Sequence, residues 1–397
     1  MEGLISVEMS SLVLLLLLWN LTTWKSQVKI SSLQKKAEMK NILQSIYFYL
    51  DTRFKLSGLI QFAKKKKVPE HKHSFWYYFG GICLFLFILQ VLTGILLLLY
   101  YTPSVDSAHE SIQFIMSQVK FGWLMRSVHS WSANILIAAI FIHMFSSFFL
   151  KAYRSPRELT WITGFFLLLI FLAFGFSGYL LPWNELSFFA TRIGSDIAGT
   201  LPLIGKHIKT FILGGTDVTG ATISRFFWLH IGILPLLTVM ILGIHVLLVQ
   251  ILGMSKPIGI PENKVKEVPF FPNFILKDSL GWMLILALIG VLCVFFPWEI
   301  GQKADPFAAT PIGIKPEWYF TFMFSTLKII PAHIFSIEGE MIAIFGFMIG
   351  GLLWMLVPFL DRNAAKERRS PVFSFIGWIV LLYIVVMTAV TYLLPGL

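Results

Sequence analysis

Seven stretches of this chain run for about twenty residues with almost no charge, and that pattern narrows the fold more than any other feature. They lie at about 75–101, 124–150, 160–182, 226–251, 280–298, 337–359 and 371–394. A helix needs about 20 apolar residues to cross a hydrocarbon layer roughly 30 Å thick, so each stretch qualifies as a span. Composition agrees: 56% of the 397 residues are hydrophobic and 13% charged, too apolar for a soluble domain. The expected fold is an all-α integral membrane protein.

The net charge of +11 invites a nucleic-acid reading, but the basic residues sit in loops between spans. Sixteen fall on one face, in 64–72, 151–157, 256–277 and 362–369. Seven fall on the other: Lys120, Arg192, Lys206, Lys209, Lys303, Lys315 and Lys328. The lysine-rich face is therefore expected to be cytoplasmic or its equivalent, the n-side, with lipid rather than nucleic acid as the surroundings. The long loops 183–222 and 299–336 then lie on the opposite p-side. Cys83 and Cys293 both sit inside apolar spans, in no CxxC or CxxCH pattern, which excludes a disulfide framework, a zinc site and a c-type haem motif.

Residues 1–38 form an N-terminal extension. Leu4–Trp24 carries the leucine run Leu14–Leu18 without the basic start or cleavage site of a secretory signal, so it reads as an extra helix or as sequence upstream of a start at Met39. The first 38 residues are expected to be dispensable for activity. Within 39–72, the spacing of Ile42, Ile46, Leu50 and Phe54 predicts an amphipathic helix on the n-side surface. The remainder divides into a four-helix domain (73–252), a linker rich in Lys, Pro and Glu (253–278) and a three-helix domain (279–397).

Four of the nine histidines lie within apolar spans: His129 and His143 on one, His230 and His245 on another. Spacings of 14 and 15 residues put the members of each pair about 21–23 Å apart along a helix and near one face of it. The two helices are separated by one full pass and run in the same direction. His129 is then level with His230 near the p-side, and His143 with His245 near the n-side. Two facing imidazoles at one depth can supply both axial ligands of a haem iron, so the pattern predicts two b-type haems at two depths. A single buried histidine is more often a hydrogen-bonded core residue. Four matched ionisable groups in hydrocarbon argue for function. Gly80 and Gly94 are 14 apart, as are Gly164 and Gly178. Glycine lets a bulky flat group approach the backbone closely, although small residues also serve helix packing.

These residues resemble the cytochrome b family of quinol-oxidising bc and bf complexes, over about Ser45 to Pro395. Phe121–His143 and the run from Arg225 to His245 are similar to the family's histidine helices. Ser155–Gly164 (SPRELTWITG) and Gly178–Trp183 (GYLLPW) are similar to the helix between them, and Lys303–Phe320, with PEWYF, to its quinol-site loop. The histidine spacing, the PRELTW string and seven core helices look closer to bf proteins, whose four-helix haem subunit and three-helix subunit are here in one chain. The resemblance implies a quinol:cytochrome c or equivalent oxidoreductase, probed at the p-side by Glu317 as proton acceptor with Tyr319 lining the site. It implies a Rieske iron–sulfur protein as partner, since this chain lacks cluster-binding cysteines. It further implies a c-type cytochrome or similar carrier, a homodimeric core, and a bacterial inner membrane. Arg126, three residues before His129, is placed to neutralise a haem propionate. Arg225 is placed to do so or to hold the quinol-site backbone.

Departures from the bf pattern bear on the cofactor count. Where many bf proteins tether a third haem by a cysteine, this chain has Tyr78, and Cys83 lies about 140° further round the helix. Ser146 and Gln250 stand at two positions that are basic in bf proteins. Two non-covalent haems and no covalent one are expected. His71, Lys72 and His73 lie at the n-side surface without a defined role. The competing readings are a dihaem membrane anchor for a dehydrogenase or hydrogenase, and a transporter with histidine proton relays. A reduced-minus-oxidised spectrum separates haem protein from transporter, and a co-purifying Rieske protein separates the first two.

Overall fold

A computed structural model describes residues 29, 32–36, 38–311 and 313–394. The expected helix at Leu4–Trp24 lies outside the described residues. Two compact units divide the chain: the N-terminal segment through Lys67 with Pro269–Phe271, and everything else. In the first, the amphipathic segment is helical over 38–54, breaks at Lys55, which takes a left-handed φ of 52°, and resumes over Leu56–Lys65. Asp51 caps the second piece by accepting from the Ser57 backbone N–H at 2.5 Å. Ile42, Ile46 and Phe54 remain exposed, as an interfacial helix requires.

The second unit is helical throughout its apolar stretches. Six helices among the described residues are long and apolar enough to cross a membrane. Four form the first bundle: α1 (Tyr78–Leu98), α3 (Gly122–Phe149), α4 (Glu158–Leu180) and α7 (Gly220–Leu252). The connections hold α2 (Ala108–Ser117), α5 (Glu185–Gly199) and α6 (Gly205–Leu213). The expected loop 183–222 is thus partly helical. Asn184 starts α5 by accepting from the Ser187 N–H at 2.8 Å, an N-cap inside a stretch too short and polar to read as a span.

The C-terminal region contributes α8 (Ile275–Phe295), α9 (Trp318–Ile329), α10 (Gly339–Met355) and α11 (Pro371–Leu393). Two expected boundaries shift. Helix α8 begins inside the segment assigned to the 253–278 linker, and it ends at Phe295 rather than at 298 because Pro297 cannot continue it. The span expected at 337–359 is a 17-residue helix, α10, followed by a separate turn at Val357–Leu360. Pro358 lacks an N–H and cannot bond the Trp354 carbonyl, which instead accepts from the Trp161 indole at 3.1 Å.

Helix α1 packs along α3, α7 along α4, and α9 along α11. An apolar core of Leu86, Leu136, Ile140, Phe171, Ile289 and Cys293 fills the middle of the bundle and joins α8 to it. Both cysteines are free, and Cys83 packs at the edge of that core.

Candidate functional site

His129 on α3 and His230 on α7 face each other with ring centroids 6.4 Å apart and planes at 66°. Two metal–nitrogen bonds of about 2 Å each, plus the two ring radii, place bis-imidazole rings about 6 Å apart. The spacing therefore fits one metal ion held between the two Nε2 atoms. His143 and His245 are electrostatic neighbours at the other level. No three His, Cys, Asp or Glu side chains gather as a metal cluster among the described residues.

The four glycines sort the histidines by level. A Cβ on Gly94 would lie 3.4 Å from His129 Cε1, and one on Gly178 would lie 2.6 Å from His230 Cε1. Gly80 meets His143 and Gly164 meets His245, each at 3.2 Å. Each glycine thus makes room for one imidazole, which is a more specific role than the flat-ligand clearance that spacing suggests. The 15-residue interval on α7 has its own explanation. Residues Leu229–Ile233, around His230, form a π-helical turn just before Pro235. A π turn absorbs one extra residue and accommodates the missing proline N–H. Fifteen residues on α7 therefore bring His245 to the same phase that fourteen give on α3.

Sequence reasoning missed the groups that orient these rings. Thr93 Oγ1 lies 2.9 Å from His129 Nδ1, Ser177 Oγ 3.2 Å from His230 Nδ1, and Thr163 Oγ1 3.0 Å from His245 Nδ1. Each hydroxyl already donates its proton one turn back, to the carbonyls of Leu89 (2.7 Å), Ala173 (2.8 Å) and Leu159 (2.9 Å). Each therefore accepts from Nδ1–H, which leaves the Nε2 lone pair free for a metal. The available signal was a Thr or Ser immediately before the glycine. His143 departs from this pattern: the residue before Gly80 is Phe79, and His143 Nδ1 is buried with no hydrogen-bond partner among the described residues.

Arg126 is buried and borders the cavity between His129 and His230. Its guanidinium donates to the carbonyls of Trp298 and Glu299, the latter at 3.1 Å, tying the bundle to the segment after α8. Arg225 is exposed to neighbouring space and donates to the Phe211 carbonyl, so it holds the loop backbone.

The PEWYF segment lies against the bundle at the end away from the lysine-rich loops. Asn184 donates to the Ile300 carbonyl at 2.7 Å, Ala304 N–H donates to the Trp183 carbonyl at 3.1 Å, and Trp318 Nε1 donates to Asn134 at 2.9 Å. Lys315 Nζ donates to the Thr391 carbonyl near the end of α11. These contacts fix Glu317, the residue before α9, between two cavities. One of about 450 Å³ holds His129, His230, Gly94, Gly178 and Arg126. The other, about 330 Å³, is lined by Phe176, Ile193, Phe320, Met323, Phe347 and other apolar groups. Glu317, Gly175 and Tyr179 line both. Tyr319 is buried and borders only the histidine cavity; a Cβ on Gly175 would lie 2.4 Å from its hydroxyl. Burial pushes the Glu317 carboxyl above the usual carboxylate range.

Asp278 is a second carboxylate that sequence reasoning passed over. It lies in the first turn of α8, buried, with the Trp282 indole as its side-chain neighbour. A Cβ on Gly81, next to the glycine that holds His143, would lie 2.1 Å from Asp278 Oδ2. An acidic residue at the start of an apolar span was the available signal. His71 Nε2 pairs with the Tyr77 hydroxyl at 2.7 Å, and Tyr77 donates to the Ser255 carbonyl at 2.7 Å, a local clamp on the linker.

Comparison with known proteins bears on the family to which the chain belongs. Residues 63–253 match the family described as Cytochrome b/b6/petB, and residues 303–395 match Cytochrome b(C-terminal)/b6/petD. A cytochrome bc complex cytochrome b subunit from Chlorobaculum thiosulfatiphilum is 51% identical over 336 residues, covering 84% of this chain and 77% of the relative. A cytochrome b from Cereibacter sphaeroides is 32% identical over 346 residues, covering 81% and 77%. A solved chain of a hyperthermophilic respiratory Complex III superposes with a TM-score of 0.77 at 31% identity, over 87% of this chain and 91% of that one. With both halves matched and the histidine pairs in place, the chain belongs to the cytochrome b family, multi-pass membrane proteins that carry b-type haem.

Proposed function

We propose that this chain is the cytochrome b subunit of a quinol-oxidising complex, taking quinol at the p-side and returning one electron of each pair to an n-side quinone. The observation that carries the reading is Glu317, which borders both the histidine cavity and the apolar cavity beside it. Two haems, when bound, supply one-electron acceptors at two depths of the membrane. His129 and His230 would hold one, and His143 and His245 the other. Arg126 borders the first site and offsets negative charge there. The apolar lining of the smaller cavity suits a quinol ring. Quinol oxidation releases two protons and two electrons. Glu317 accepts a proton, and its raised pKa suits pickup and release closer to neutrality. The other electron leaves through a Rieske iron–sulfur partner to a c-type cytochrome or similar carrier. At the n-side, the neighbouring side chains of Asp278 and Trp282 place polar groups beside the His143 level, where a quinone would bind. The lysine-rich loops face the cytoplasm of a bacterial cell, and the complex core is a homodimer.

The testing experiment isolates the complex through a tag on this chain. The expected result is co-purification of a protein with a Rieske-type electron paramagnetic resonance signal, together with quinol-driven reduction of b-type haem. A dehydrogenase or hydrogenase in its place would contradict the reading and favour a dihaem anchor.

The glycine distances grade a further prediction. Gly178→Ala would put a methyl group 2.6 Å from His230 Cε1, whereas Gly94→Ala leaves 3.4 Å to His129. Gly178→Ala is expected to displace its imidazole and remove most of the p-side haem, while Gly94→Ala retains more of it. Haem content from difference spectra is the check. Equal retention in the two variants would mean that the glycines do not set the ring positions.

A further inference from the structure

The four histidines share one scaffold and differ at one place. In three of them the residue before the cradling glycine is a hydroxyl that accepts from Nδ1: Thr93 for His129, Ser177 for His230 and Thr163 for His245. For His143 that residue is Phe79, whose ring stacks on Trp76 with centroids 5.8 Å apart. His143 Nδ1 is left buried and unpaired among the described residues.

We propose that Phe79 raises the reduction potential of the n-side haem above that of the p-side haem, by leaving the ligand His143 without a hydrogen-bond acceptor. This rests on the dihaem reading given above. A ligating imidazole that donates from its second nitrogen becomes the more basic ligand. Stronger electron donation stabilises the ferric state and lowers the potential, and such hydrogen bonds are among the levers by which a protein sets it. Both ligands of the p-side haem carry a hydroxyl acceptor, against one of the two at the n-side haem. The electron then moves downhill from His129/His230 to His143/His245. Phe79 and Thr93 are positioning residues in this scheme; neither bonds the metal.

The test is a potentiometric titration of the purified complex, followed by the α-band absorbance of reduced haem. The parent protein is expected to give two one-electron components. Thr93→Val removes the acceptor for His129 and should raise the lower potential. Phe79→Thr supplies an acceptor for His143 and should lower the higher one. Each narrows the gap by on the order of tenfold in the equilibrium constant between the haems, about 59 mV for a one-electron couple. Thr163→Val, which strips the acceptor from His245, should widen the gap instead. A merely structural role would not give this pattern of opposite signs. If Phe79→Thr fails to hold haem, the two valine variants decide the matter. Unchanged potentials at full haem occupancy, or shifts of the opposite sign, would overturn the proposal. A parent protein without two b-type components would instead overturn the dihaem reading on which it rests.

Discussion

His129→Ala and His230→Ala are each expected to abolish the same haem and to reduce quinol oxidation to background. Their rings face each other at 6.4 Å, and loss of either leaves an iron with one protein ligand in a cavity shaped for two. The loss should be complete, because the remaining walls are mainly apolar and offer no second imidazole at that level. His143→Ala and His245→Ala are expected to remove the other haem and leave the first. Difference spectra with two resolved components decide the pairing. Disappearance of different haems in His129→Ala and His230→Ala would show that the level assignment is wrong.

Glu317→Gln is expected to slow quinol oxidation by roughly 10²-fold with both haems retained, at the low end of general-base effects. Glutamine keeps the size and polarity of the side chain but takes no proton. The low end is expected because water or a neighbouring group at the p-side can take up the proton in its place. The sign of the pH dependence follows from burial, which raises the Glu317 pKa. The carboxyl therefore stays protonated, and inactive as a base, to higher pH than an ordinary glutamate. Turnover should rise with pH through that pKa as the carboxylate forms, and the variant should lose this rise. Steady-state quinol turnover in membranes across pH, normalised to haem content, is the measurement. Unchanged turnover and an unchanged profile would remove Glu317 from the chemistry.

The parts of this site that were legible in the sequence are those tied to helical repeat. His129 and His143, and Gly80, Gly94, Gly164 and Gly178, recur at intervals that return to one helix face, and an ionisable group in an apolar span stands out by its cost. The level pairing follows from counting passes through the membrane. What was not legible depends on contacts between helices. Thr93, Thr163 and Ser177 are ordinary residues for a span, since their hydroxyls satisfy themselves on a carbonyl one turn back. Their role emerges only when a histidine from another helix arrives at the free lone pair. The π turn at His230 was hidden because a 15-residue interval on a regular helix also lies near four whole turns. Arg126 read as a charge awaiting a propionate; its use of the Trp298 and Glu299 carbonyls depends on where the chain returns after α8. Asp278 was visible only as an acidic residue at the start of a span; its burial against Gly81 comes from packing of α8 on α1.

Haem quantification on the purified chain tests the central claim most directly. Acid–acetone extraction followed by pyridine haemochrome analysis should recover two b-type haems per polypeptide, with none left on the chain after denaturing electrophoresis. The second expectation follows from Tyr78 at the tethering position and Cys83 on another face of the helix, packed at the edge of the core. One haem per chain, or haem that stays on the denatured polypeptide, would contradict the account.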